Sequence, residues 1–282
     1  MTRRTSSLLL AWNEFWVDLP VGPVPGCPGG CELTTDRARL AEAGAVLFHL
    51  PTLGPAIDIP KGANQRWVAL SMESDANYPR QADAAFMRRF DVTMTYRRTS
   101  DIPVLYAGPD LPQDLRSPVR EKTEAAPAVH FASNRATRSG REQYIADLMN
   151  FVAVDSYGAS LRNRNLPADN GRETKLSTIS RYLFTLAFEN SIGEDYVTEK
   201  FFDPLVSGSV PVYLGAPNVD DFAPGEHCYI AVSDFAGPRE LATYLNQLAA
   251  NRDEYRAYHA WRDGDLRTSF VSMTQSQRTH PT

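Results

Sequence analysis

Phe184-Thr-Leu-Ala-Phe-Glu-Asn-Ser-Ile-Gly-Glu-Asp-Tyr-Val-Thr-Glu-Lys-Phe-Phe-Asp-Pro-Leu-Val-Ser-Gly-Ser-Val-Pro-Val-Tyr-Leu-Gly-Ala-Pro217 is the stretch from which the fold can be read. It opens on an apolar run, Phe184–Phe188, that ends at the polar pair Glu189-Asn190. A run of that length bounded by polar residues reads as a buried strand. A helix is expected from about Thr198, whose hydroxyl can cap it, with Glu199 favouring its positive end. Pro204 lacks an N–H and crowds the preceding turn, so a kink is expected there. Gly208 ends the helix, Val210–Leu214 is the next strand, and Gly215-Ala-Pro217 turns the chain. Strand, helix, strand is the unit of a parallel sheet. The strand–loop–helix passage also gathers backbone N–H groups where an anion can sit. Lys200 in the first helical turn opposes the helix dipole, and a bound anion would rationalise it. Spacing alone does not separate that reading from a solvated Glu199–Lys200 pair.

The same rhythm extends in both directions. Upstream, strands are expected at Ser7–Trp12, Ala45–Phe48, Arg66–Ser71, Val92–Thr95 and Val104–Tyr106, with helices at Thr35–Ala43 and Ala82–Arg89. Pro109–Pro127 is proline-rich, charged and aperiodic, and reads as a linker. Beyond it, Ala128–Ala132 and Val154–Tyr157 read as strands, and Gly140–Val152, Ser177–Arg181, Glu240–Ala249 and Asp253–Trp261 as helices. The chain after Trp261 is expected to be a polar, mobile tail. The 282 residues therefore divide into a first α/β domain with its linker, 1–125, and a second α/β domain with the tail, 126–282.

Composition narrows the function. Hydrophobic residues make up 43% and charged residues 22%, which is ordinary for a globular protein. A formal net charge of -5 argues against a nucleic-acid partner. No stretch reaches the ~18–20 apolar residues of a membrane span, and Ser6–Trp12 reads as a first strand rather than a signal peptide. Cys27-Pro-Gly-Gly-Cys31 has no second ligand pair and reads as a loop, with or without a local disulfide. His49, His130, His227 and His259 are scattered, and the Asp220-Asp221 pair reads as a solvated loop, so no metal site is expected.

The Phe184–Pro217 stretch resembles the donor motif of family 10 glycosyltransferases, the α1,3/α1,4-fucosyltransferases. Ser133-Asn134 with Arg138 and Arg141, Val154-Asp-Ser-Tyr-Gly158, Met94–Asp101 and Ser71-Met-Glu-Ser74 resemble further signatures of that family in the same order. Cys31–Asp36, Phe48-His-Leu-Pro51 and Met72–Pro79 are most similar to its plant-type branch, which acts on the N-glycan core. The resemblance covers residues 27–262. It implies an α/β fold of GT-B arrangement, two Rossmann-like domains facing a cleft. It implies GDP-fucose as donor, held by Asn190, Tyr196, Val197, Thr198, Glu199 and Lys200. Lys200 and Arg141 would face the diphosphate, with Arg138 as the alternative to Arg141, and Glu199 would fix ribose or fucose hydroxyls. Glu73 matches the carboxylate assigned as general base; without the resemblance it is one carboxylate after a strand.

The implied reaction is inverting transfer of L-fucose to a glycan or glycoprotein hydroxyl, O3 of a GlcNAc. Fixed cations would stabilise the departing GDP, so no metal is required, and Mn or Mg would at most stimulate. The rival readings are a GT-B transferase with another nucleotide sugar and a non-catalytic sugar-nucleotide-binding module. The expected location is the cytoplasm or a membrane periphery for a bacterial protein. For a piece of a eukaryotic enzyme it is the Golgi lumen.

Overall fold

The computed structural model describes residues 7–134 and 137–276. They form two compact units, residues 7–105 and Tyr106–Ser276. Each unit is an α/β sandwich around its own sheet, as the expected pair of Rossmann-like domains requires.

The first unit contains β1 (Ser7–Ala11), β2 (Gly22–Pro23), β3 (Cys31–Thr34), β4 (Ala45–His49), β5 (Arg66–Ser71), α1 (Ala84–Met87), β6 (Val92–Thr95) and β7 (Ile102–Pro103). The sheet order is β2-β3-β1-β4-β5-β6-β7. All pairs are parallel except the edge pair β2–β3. Leu8, Leu10, Val46, Phe48, Trp67 and Phe90 form the core. The expected helices are short here. Asp36 caps only a 3-10 turn, Arg37–Glu42, and Asp83 caps α1 through Ala85 N and Phe86 N. The last strand falls at Ile102–Pro103, two residues ahead of the expected Val104–Tyr106. A proline at that position is tolerated because β7 is an edge strand. Cys27 and Cys31 are joined as a disulfide that closes the loop before β3.

The second unit contains α2 (Leu111–Asp114), β8 (Ala128–Phe131), α3 (Arg141–Leu148), β9 (Val154–Tyr157), α4 (Arg172–Ile179), β10 (Phe184–Phe188), α5 (Glu199–Ser207), β11 (Val210–Leu214), β12 (Ile230–Ala231), α6 (Pro238–Ala250), α7 (Arg252–Ala257) and α8 (Thr268–Ser276). The sheet is wholly parallel in the order β12-β11-β10-β8-β9. Every residue of β10 is buried, as a central parallel strand covered on both faces demands. Ile145, Leu148, Leu241 and Leu245 cover one face, and Ile179 with Tyr182 the other. Pro204 sits inside α5, and Gly208 closes that helix in the left-handed region at φ 73°.

Two boundaries differ from the sequence reading. The division falls at residue 105, not 125, because the presumed linker is strapped to the second unit. Lys122 Nζ donates to Ser180 O at 2.9 Å and Gly208 O at 2.6 Å, and Thr123 N donates to Arg181 O at 3.0 Å. Arg262 Nη1 donates to Leu115 O at 2.7 Å, and Arg116 Nη1 returns a bond to Arg262 O at 2.7 Å. The expected mobile tail is instead helical to residue 276, with Phe270 and Thr274 fully buried on α8. The tail's last residues, 277–282, lie outside the described ones.

His130 is buried in β8, with Nδ1 2.9 Å from Ser156 Oγ, and His259 lies after α7. Burial, then the charge of Arg141, pushes His130 down to about 4; burial, then Arg262, does the same to His259. An imidazole that resists protonation when folded loses stability in the interval where only the unfolded chain takes the proton. Urea midpoints are therefore expected to fall as pH drops from 6.5 to about 4. The fall should shrink in the His130→Gln/His259→Gln double variant. An equally steep fall in that variant would contradict the assignment.

Candidate functional site

In the second unit the chain leaves β8 for β9 on one side, then crosses back to β10 on the other. The carboxyl ends of β8 and β10 are thus the switch point, where open α/β sheets leave a crevice. Glu189, the first residue past β10, is fully buried. Its carboxylate accepts Thr198 N at 2.8 Å and the Thr198 hydroxyl at 2.8 Å, and Lys200 Nζ stands 3.6 Å away. Thr198 also caps α5, its Oγ1 accepting from Lys200 N at 3.3 Å and from Lys200 Nζ at 3.1 Å. Lys200 Nζ completes the set on Glu199 Oε1 at 3.0 Å.

Electrostatics follow from this geometry. Burial raises the Glu189 carboxyl, and Lys200 pulls against it. Burial works to lower Lys200, but Glu189 and Glu199 together outweigh it and hold the ammonium above its usual range. Burial likewise works to raise Glu199, and Lys200 followed by Lys175 outweighs it, so that carboxyl is lowered. Of the two readings open for Lys200, a bound anion and a pair with Glu199, the structure shows the pair, with Glu189 as a second carboxylate beside it.

Arg141 opens α3 after Gly140, which adopts φ 72°. It is only 1% exposed and braces the switch point from inside. Nη1 donates to Phe188 O at 2.9 Å, Nη2 to Asn134 O at 2.8 Å and Nε to Glu142 Oε1 at 3.1 Å. Arg138 is exposed, and its backbone N–H donates to Asn190 O at 2.8 Å. Asn190 is itself buried, and its Oδ1 has no hydrogen-bond partner. A buried unsatisfied amide oxygen is costly and calls for an account. Tyr196 and Val197 are buried to 1% and 2%, so they shape the loop from within. Asp195 holds that loop at φ 63°, clasped by Asn218 through Asp195 N at 2.9 Å and Asp195 Oδ1 at 3.0 Å.

Two contributors went unread in the sequence. Asp203 is buried one turn after Glu199; its oxygens hold Arg172 at 2.9 Å and Lys175 at 2.8 Å. A cavity of about 210 Å³ lies against Glu199, Asp203, Arg172 and Tyr106. The only available signal was the four-residue spacing from Glu199, which puts Asp203 on the same helix face. The second is Gly215. A Cβ there would lie 2.4 Å from Tyr213 Oη and 2.6 Å from Glu189 Cγ.

In the first unit, Glu73 follows β5 and is half-buried. Its N–H donates to Ser71 Oγ at 3.1 Å, and Gln81 Nε2 donates to Glu73 O at 3.2 Å. Burial, then the Glu73 charge, raises the Tyr78 phenol. Arg97 pairs with Asp75, whereas Arg98 is exposed. Among the described residues no three or more His, Cys, Asp or Glu side chains gather as a metal site. Among the same residues no helix is long and apolar enough to cross a membrane.

Residues 119–281 match glycosyltransferase family 10 (fucosyltransferase) C-term, and residues 4–107 match the fucosyltransferase N-terminal family. The chain belongs to glycosyltransferase family 10. It is 34% identical over 248 residues to alpha-(1,3)-fucosyltransferase B of Drosophila melanogaster, covering 81% of this chain and 56% of that protein. It is 36% identical over 250 residues to GDP-fucose protein O-fucosyltransferase 3 of Canis lupus familiaris, covering 82% and 52%. A fucosyltransferase-like protein of Arabidopsis thaliana is 39% identical over 212 residues, covering 74% and 40%, so closeness to a plant-type branch has only weak support. The chain spans about half the length of these relatives. A solved alpha1,3-fucosyltransferase superposes with a TM-score of 0.62 at 16% identity, over 100% of this chain and 92% of that one. The same kind of enzyme solved with GDP-fucose gives 0.56 at 18%, over 84% and 77%. The fold class is that of GT-B transferases.

The packing around Glu189 generates a test. Gly215→Ala overpacks Tyr213 and Glu189 and is expected to cost roughly 1–3 kcal/mol, read as a lowered urea midpoint. Gly264→Ala, with open space around its Cβ, is the control. Equal midpoints for the two variants would show that the pocket yields.

Proposed function

We propose that this chain is an inverting fucosyltransferase that takes L-fucose from GDP-β-L-fucose. The observation that carries the reading is Asn190 Oδ1, buried without a partner at the β8–β10 switch point, beside exposed Arg138 and the Glu199-Lys200 pair. A sugar nucleotide supplies what the site lacks: a hydroxyl donor for the Asn190 oxygen and a diphosphate for exposed Arg138. Family membership and the solved relative with GDP-fucose support the choice of donor. Arg138 faces the diphosphate in this reading, while Arg141, with three donors spent on the protein, holds the crevice open. Tyr196, Val197 and Thr198 place Glu199 and Lys200 against the donor.

Glu73 takes the proton of the acceptor hydroxyl as its oxygen bonds to fucose C1, and the bond from C1 to the diphosphate breaks with inversion. The negative charge left on GDP meets Lys200 and Arg138. The acceptor we favour is O3 of a glycan GlcNAc, giving an α1,3 linkage. A protein hydroxyl is the second reading, favoured by the relative named protein O-fucosyltransferase 3. Titration with a panel of GDP-, UDP- and dTDP-sugars tests the donor. Tighter binding of a UDP-sugar would remove GDP-fucose, and binding without turnover would leave a non-catalytic module.

With cations fixed by the protein, a divalent ion is dispensable. Turnover is expected to survive EDTA, with Mn or Mg stimulating at most. Complete loss in EDTA restored by Mn²⁺ would overturn this.

Base and donor clamp separate kinetically. Glu73→Gln is expected to lower kcat by ~10²–10⁴ while leaving the GDP-fucose Kd unchanged. Lys200→Ala is expected to weaken GDP binding and slow turnover together. Full turnover in Glu73→Gln would mean that another carboxylate is the base. Parent-like GDP binding in Lys200→Ala would confine Lys200 to neutralising the buried Glu189 carboxylate.

A further inference from the structure

The sheet of the first unit has its own switch point. From β1 the chain goes out to β2 and β3 on one side, then returns to begin β4 on the other. Residues leaving β1 and β4 therefore border a crevice at the carboxyl edge. An aromatic cluster stands there. Phe15 stacks on His49 at 4.9 Å, Trp16 meets the same imidazole edge-on at 5.0 Å, and Tyr78 lies 6.1 Å from the Trp16 ring. Despite these neighbours Trp16 is 56% exposed, with Val17 beyond it at 69%. The loop is pinned in place. Asn13 Nδ2 donates to His49 O and Thr52 Oγ1, each at 2.8 Å, and His49 N returns a bond to Asn13 Oδ1 at 3.0 Å. A cleft of about 300 Å³ adjoins it, with Glu14, Asp18 and Arg37 on its walls.

The cluster also lies alongside Glu73. β4 pairs β5 with His49 opposite Leu70, and Glu73 follows the end of β5 by two residues. Tyr78 belongs to the turn that Glu73 begins, its N–H donating to Ser74 O at 2.9 Å. We infer that Trp16, buttressed by His49, Phe15 and Tyr78, is a stacking platform for a pyranose ring of the acceptor. The inference rests on the reading of Glu73 as the group that receives the acceptor proton.

The chemistry selects a sugar. A rigid, half-exposed indole offers a π-face to the C–H face of a pyranose. Carboxylates and a guanidinium at the rim suit its hydroxyls. An extended peptide would want an open strand edge, and the outer strands β2 and β7 are two residues each.

The test uses the full chain with N,N′-diacetylchitobiose as probe, titrated directly and also assayed as acceptor. Trp16→Ala is expected to weaken disaccharide binding and raise the acceptor KM by about tenfold, with the GDP-fucose Kd unchanged. Trp16→Phe is expected to restore most of both. Trp16 is exposed, so neither variant removes core packing. Unchanged disaccharide affinity in Trp16→Ala would overturn the platform. So would a parent that ignores the disaccharide, or one that binds a Ser/Thr peptide through Trp16 instead. A parent that binds the disaccharide through Trp16 but does not bind GDP-fucose would sink the donor reading and keep the platform.

Discussion

Glu189 is a carboxylate with no exposed surface, placed where a strand ends and a helix has yet to begin. Burying such a charge is tolerable only if donors surround it, and breaking a buried pair costs ~3–5 kcal/mol. The second unit meets the requirement with one threonine and one lysine. Thr198 gives Glu189 both its N–H and its hydroxyl while capping α5, and Lys200 gives the charge. The end of β10, the start of α5 and the close approach of Gly215 after β11 are thereby fixed by one joint. Glu199 and Asn190 flank that joint in sequence, so their backbone placement is inherited from a core interaction.

Elements that bury a continuous apolar run were legible in the sequence. β5, β6, β9, β10 and β11 fall where the apolar runs place them, as does the Thr198 cap. Elements held by other means were not legible. The strands β2 and β12 are two residues long, too short to show a period. Helix α8 escapes because only Phe270 and Thr274 are fully buried in a short segment that is mostly serine, threonine and glutamine. The strap of residues 106–125 is bound by side chains donating to carbonyls, an arrangement with no sequence period.

The candidate site was legible by position and less so by role. Glu189, Asn190, Glu199 and Lys200 do converge at the end of β10. Arginine type alone did not distinguish a cation facing out from one bracing the interior; that depends on carbonyls contributed by Phe188 and Asn134. Tyr196 and Val197 belong to the motif because the loop must pack, as their burial shows. The Glu189–Lys200 partnership spans a loop of ten residues, and no helical or strand spacing foretells it.

The exchange between Arg116 and Arg262 joins the two ends of the second unit. Arg262 Nη1 reaches back to Leu115 O, Arg116 Nη1 reaches forward to Arg262 O, and α2 lies against α8. The unit is therefore a ring closed without a covalent bond. Its topology would survive relocation of the termini: linking residue 276 to residue 106 and reopening the chain at an exposed loop between strands preserves every neighbour. A chain begun at residue 126, where composition alone suggests a domain start, would leave the guanidinium of Arg262 without Leu115 and Ser117 carbonyls and open the ring at its clasp.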